Sequence, residues 1–66
     1  MTEKLKELRV MRNLTQQEVA DTLGIDRRQY SRYETGRNEI PLRHIKKICV
    51  AYNISADWML GLAEEL

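Results

Sequence analysis

Arg27, Arg28, Gln29 and Arg32 fall within six consecutive residues. A guanidinium stays charged at any pH a protein meets and presents a planar fork of N–H donors, so a cluster of them suits an anion better than a reaction. The charge around the cluster is uneven in the same sense. Residues 27–47 hold seven basic and two acidic side chains, a balance of +5 that leaves −4 on the rest of a chain whose net charge is +1. A basic stretch on an otherwise acidic body is an electrostatic footprint for a polyanion; a solvated helix face is the bland alternative. Arg43, Lys46 and Lys47 are as well explained by solvation as by phosphate contact. The sequence offers no nucleophile–base pair, carboxylate dyad, glycine-rich phosphate loop or metal-ligand set, so no enzyme, cofactor or small-molecule ligand is expected. His44 has no ligand partners nearby in sequence, and the single cysteine, Cys49, reads as a small buried hydrophobe.

Such a cluster needs a rigid support. Sixty-six residues allow one domain, 1–66, which buries only about 60% of its unfolded surface. With no disulfide possible, helix packing must supply the stability. No apolar run approaches 18 residues and charge begins at Glu3, so neither a membrane span nor a signal peptide is expected and a cytoplasmic setting is. Helical spacing recurs throughout. Thr2 is expected to cap a first helix with Leu5, Leu8 and Met11 inward, ending at Asn13–Leu14. Thr15-Gln16-Gln17-Glu18 is a capping box that starts a second helix, with Val19, Ala20 and Leu23 inward and Gly24 as its stop. Asp26 caps a third helix reaching about Glu34, with Tyr30 and Tyr33 on one face and Gly36 at its end. Residues 37–40 read as a loop. Pro41 opens a fourth helix with Leu42, Ile45, Ile48, Cys49 and Tyr52 inward, ended by Asn53, and Ser55 caps a short fifth with Trp58, Met59 and Leu62. The expected fold is all-α: five short helices in an orthogonal bundle. The aromatic residues Tyr30, Tyr33 and Trp58 are expected in the core, not stacked on bases.

Helices two and three, joined through Gly24-Ile25, form a compact unit over about residues 16–35. Val19, Leu23, Ile25, Tyr30 and Tyr33 supply its apolar seam, which leaves Arg27, Arg28, Gln29 and Arg32 facing outward. In order and spacing, Leu14-Thr15-Gln16-Gln17-Glu18-Val19-Ala20, Leu23-Gly24-Ile25, Tyr30-Ser31-Arg32-Tyr33-Glu34-Thr35-Gly36 and Ser55-Ala56-Asp57-Trp58 resemble the Cro/phage-repressor (XRE) helix-turn-helix family over essentially the whole chain.

That resemblance implies a lambda-repressor-like fold and a sequence-specific regulator of transcription, a repressor by first expectation, reading double-stranded DNA. It implies that Arg27, Arg28 and Arg32 face base edges in the major groove, where an arginine fork matches guanine O6 and N7, with Gln29 beside them either reading adenine or contacting the backbone. Gln16 matches the position where the second helix's N-terminus meets a phosphate, and Thr35, Arg37 and Asn38 match a phosphate-contacting loop. Arg9 and Glu34 match a structural ion pair between the first and third helices. Tyr30 departs from the family's usual branched aliphatic and is expected to pack in the core with its hydroxyl reaching the surface. One recognition helix spans few base pairs, so a homodimer on a pseudo-palindrome is expected. Its contacts would come from helix five, Leu60, Leu62 and Leu66, with the start of helix four adjoining. The rival reading is a protein-interaction module, an antitoxin or adaptor with secondary DNA binding.

Overall fold

Among the described residues, five lie in the left-handed region, Asn13, Gly24, Gly36, Asn53 and Gly61, with φ between 53° and 80°, and punctuate the chain. The computed structural model describes residues 2–64. Five helices lie between these stops: α1 (Thr2–Met11), α2 (Gln16–Leu23), α3 (Arg27–Glu34), α4 (Leu42–Tyr52) and α5 (Ala56–Met59). Among the described residues there is no strand. No described helix is long and apolar enough to cross a membrane.

At each stop a residue just beyond the last turn reaches back to its carbonyls. Gly24 N–H donates to the Asp21 carbonyl at 3.1 Å and Ile25 N–H to Ala20 at 3.0 Å, which saturates the end of α2 and turns the chain toward α3. Gly24 suits this place because a Cβ is strained at its φ of 71°. The same closure ends α1 (Leu14 N–H to the Arg9 carbonyl, 2.9 Å) and α4 (Ile54 N–H to Cys49, 2.9 Å). In both, an asparagine adopts the left-handed conformation.

Starts are equally local. Thr15 Oγ1 accepts from Glu18 N–H at 3.1 Å while Thr15 N–H donates to Glu18 Oε1 at 2.9 Å, a complete capping box. Asp26 caps α3 by accepting from Gln29 N–H at 2.8 Å, and Ser55 caps α5. Thr15→Ala is expected to cost about 1 kcal/mol, read as a lower urea midpoint with an unchanged m-value. Thr2 differs from expectation: it is already the first residue of α1. Pro41 stands one place outside α4, as its N-cap residue.

The core gathers Leu5 and Leu8 of α1, Val19, Ala20 and Leu23 of α2, Tyr30 and Tyr33 of α3, Ile45 and Ile48 of α4, and Trp58 and Met59 of α5. Two connecting residues, Ile40 and Ile54, complete it. Two apolar residues expected inward face solvent instead, Met11 (49% exposed) and Leu42 (57%), and Leu62, expected within the fifth helix, is 75% exposed. Met11 and Leu42 are the last residue of α1 and the first of α4, at helix ends. Leu62 lies past Gly61, after α5 has already ended at Met59. Cys49 and Tyr52 are half-buried against the cluster.

Polar contacts cross between helices at defined points. Thr22 Oγ1 and the Tyr52 hydroxyl lie 2.8 Å apart, joining α2 to α4. The Lys4 ammonium sits 4.5 Å from the centroid of the Trp58 ring, joining α1 to α5. His44 is buried with its ring 6.0 Å from that of Tyr33, centroid to centroid. Burial, with Arg43 and Lys47 nearby, holds its imidazole below the usual histidine pKa. Burial also pushes the Cys49 thiol up.

Candidate nucleic-acid interface

Tyr30 and Tyr33 turn one side of α3 into the core, so the opposite side faces water. There Arg27, Arg28, Ser31, Arg32, Thr35 and Arg37 line a single open depression. The spacing explains the grouping: 27, 31 and 35 fall on one helical row, 28 and 32 on the next. All four arginines are exposed. Among the described residues, none of them has a carboxylate oxygen within 4.0 Å. Four like charges therefore share one concave surface, a concentration of positive potential aimed at solvent. Ser31 was not singled out by the sequence. Its position four residues after Arg27 and four before Thr35 was the available signal.

The remaining residues marked by the sequence lie outside that depression. Gln29 is half-buried and its Nε2 donates to the Tyr33 hydroxyl at 3.1 Å. Its amide oxygen and second amide hydrogen have no bond among the described residues. Asn38 lies on the other side of the α3–α4 connection, lining a cavity with Thr2, Leu5, Tyr33 and Ile40. Its backbone N–H donates to the Arg32 carbonyl at 3.2 Å. Gln16, the first residue of α2, is half-buried and its Nε2 donates to Glu34 Oε1 at 3.3 Å.

Glu34 is the hub behind α3. Arg9 Nε donates to Glu34 Oε2 at 2.7 Å, a second Arg9 nitrogen to Oε1 at 3.3 Å, and its third nitrogen to the Leu14 carbonyl at 3.1 Å. One residue thus ties α1, the α1–α2 connection and the end of α3 together. Burial alone would raise the Glu34 pKa, but hydrogen bonds from Arg9, Tyr30 and Gln16 outweigh it and the carboxyl titrates below the usual range. The hydrogen bond to Glu34 raises Arg9 in turn. Tyr30 corrects an expectation: it is 1% exposed and its hydroxyl faces Glu34 and Arg9 instead of the surface. The charged pair behind α3 gives a buried hydroxyl a partner, so it has no need to reach water. Burial first, then the neighbouring carboxylate, push its phenol far above the ordinary value.

Two short helices joined through Gly24 and Ile25, with an arginine-lined outer side on the second, form a known pattern, and residues 5–59 match the family described as helix-turn-helix. The chain belongs to the helix-turn-helix family. Among its relatives, the SPbeta prophage-derived HTH-type transcriptional regulator YonR of Bacillus subtilis (strain 168) is 38% identical over 58 residues, 88% of this chain and 54% of the relative. The cryptic phage CTXphi transcriptional repressor RstR of Vibrio cholerae is 35% identical over 51 residues, 77% of this chain and 46% of the relative. A solved transcriptional regulator from Listeria innocua superposes with a TM-score of 0.85 over 98% of this chain and 61% of its own, at 20% identity, which shows a shared helix-turn-helix fold. The chain spans about half the length of the curated relatives it matches.

Proposed function

We propose that this helix-turn-helix chain is a sequence-specific double-stranded DNA-binding regulator of transcription that inserts α3 into the major groove. The observation that carries the reading is the gathering of Arg27, Arg28, Arg32 and Arg37 around one open depression. Arg27, Arg28 and Arg32 reach base edges, and Gln29 adds its unused amide oxygen and hydrogen at the flank. Arg37 and Thr35 hold phosphates at the exit of α3, with Asn38 beyond them and Gln16 at the start of α2. Phosphate contacts set register and base contacts set sequence.

Repression is the proposed sign, by exclusion of polymerase from an occupied promoter, and the relative named a repressor supports it. A homodimer is the proposed working form, because one α3 covers too few base pairs for useful selectivity and two, one helical turn apart, double the reading. Leu60 and Leu62 are exposed candidates for the contact between copies; Leu66 lies outside the described residues.

A salt series on a labelled duplex tests the reading. The logarithm of affinity is expected to fall linearly with the logarithm of salt, with a slope of about 0.9 per phosphate neutralised. A flat response sinks the proposal and favours a protein-interaction module. Selection from a random duplex pool is expected to return a two-fold symmetric site. A strict monomer on that site, by sedimentation, refutes the dimer, and a reporter that rises with bound protein refutes repression.

A further inference from the structure

Gln16 and Glu34 belong to different helices, 18 positions apart, yet a single amide-to-carboxylate hydrogen bond of 3.3 Å joins them. Gln16 opens α2, next to the capping box that consumes Thr15 N–H and Glu18 N–H. The amide nitrogen of glutamine carries two hydrogens. Glu34 takes one, which fixes the plane of the amide and leaves the other unused beside the positive end of α2.

Glu34 is itself immobilised. Its Oε2 is held by Arg9 at 2.7 Å, its Oε1 is shared by Arg9 and Gln16, and Arg9 also grips the Leu14 carbonyl just ahead of α2. A closed loop of hydrogen bonds and backbone therefore runs from the end of α3 through Arg9 and Leu14 to the first turn of α2 and back through Gln16. Arg9, Leu14, Gln16 and Glu34 are each half-buried, and Thr15 between Leu14 and Gln16 is exposed. The side chain meant for a phosphate and the helix meant for the bases are locked to the same carboxylate.

We propose that Glu34 is a positioning residue for DNA-backbone contact: by holding the Gln16 amide, it aims the second amide hydrogen at a phosphate and sets the start of α2 in register with α3. Glu34 touches no DNA. The inference rests on the DNA-binding reading above and adds to it a coupling that a stabilising ion pair alone does not require.

The test is a double-mutant cycle on duplex affinity at fixed salt, under conditions where circular dichroism finds every variant fully folded. Gln16→Ala is expected to weaken all sequences alike by about tenfold, as expected for loss of one hydrogen bond to a charged oxygen. The salt slope should not change, because the lost contact is neutral. Glu34→Gln is expected to cost several-fold in the parent chain and almost nothing once Gln16 is alanine. Combined with Arg28→Ala, the same Glu34→Gln change is expected to cost its full amount. Equal losses in the Gln16→Ala and Arg28→Ala backgrounds would mean that Glu34 acts only through the fold, and would overturn the proposal. So would a Gln16→Ala variant that binds like the parent. A parent chain that binds no duplex removes the DNA-binding reading itself, an outcome separate from either.

Discussion

Arg9→Ala is expected to remove about 3 kcal/mol of stability, the lower end of the range for stripping one partner from a buried ion pair. The lower end applies because the Arg9 side chain keeps 18% of its exposure and some solvent screening, while the Glu34 side chain keeps only 5%. What costs energy is the carboxylate left behind. It would lose two hydrogen bonds from Arg9 and stay desolvated with only Gln16 and Tyr30 beside it. For a domain of this size, whose total stability is on the order of 3–10 kcal/mol, that is a large fraction. The melting temperature should drop on the order of 15 °C.

The pH dependence identifies the cause. Glu34 titrates below its unfolded value in the parent chain, so its contribution is present above the unfolded pKa and is lost as pH falls through the folded one. The gap between parent and Arg9→Ala should therefore narrow in acid, where protonated Glu34 no longer needs Arg9. Replacing both partners with apolar residues, Arg9→Met with Glu34→Leu, should cost far less than Arg9→Ala alone. A single variant within about 0.5 kcal/mol of the parent would mean that water screens the pair.

Arg28→Ala and Arg37→Ala are expected to separate sequence reading from simple attraction. Both side chains are exposed and line the same depression, but Arg28 projects from the first turn of α3 and Arg37 from the connection beyond it. Loss of Arg28 should reduce affinity for the selected site by about 10- to 100-fold and flatten base preference at one position, since a forked contact to guanine discriminates by that much. Loss of Arg37 should weaken every sequence alike and make the salt slope shallower by about one. If both variants merely scale all affinities by a common factor, the assignment of base reader is wrong.

Much of this arrangement is legible in the sequence because short polar residues govern helix ends locally. Thr15 with Glu18, Asp26, Gly24, Asn53 and Ser55 each satisfy donors or acceptors within a few residues of themselves, so their roles depend little on the rest of the fold. Structure and sequence pattern part where tertiary context decides. Helical periodicity marked Met11 and Leu42 as inward, but periodicity does not say where a covering neighbour stops. Ile40 and Ile54 sit in connections, have no period to betray them, and are in the core nonetheless.

The candidate interface divides in the same way. Spacing along one helix put Arg27, Arg28 and Arg32 on a common side, and the same row contained Ser31. That Gln29 bonds to Tyr33, that Gln16 bonds to Glu34, and that the Tyr30 hydroxyl turns inward all depend on side-chain geometry across the bundle. No window of sequence encodes those contacts.

The chain's single tryptophan, Trp58, is buried beneath the Lys4 ammonium where the first and last helices meet. It takes no part in the arginine-lined depression. Its intrinsic fluorescence is therefore an optical gauge of whether the two ends of the domain stay closed. Melting can then be followed by this signal alone, with no probe placed near the arginine-lined depression.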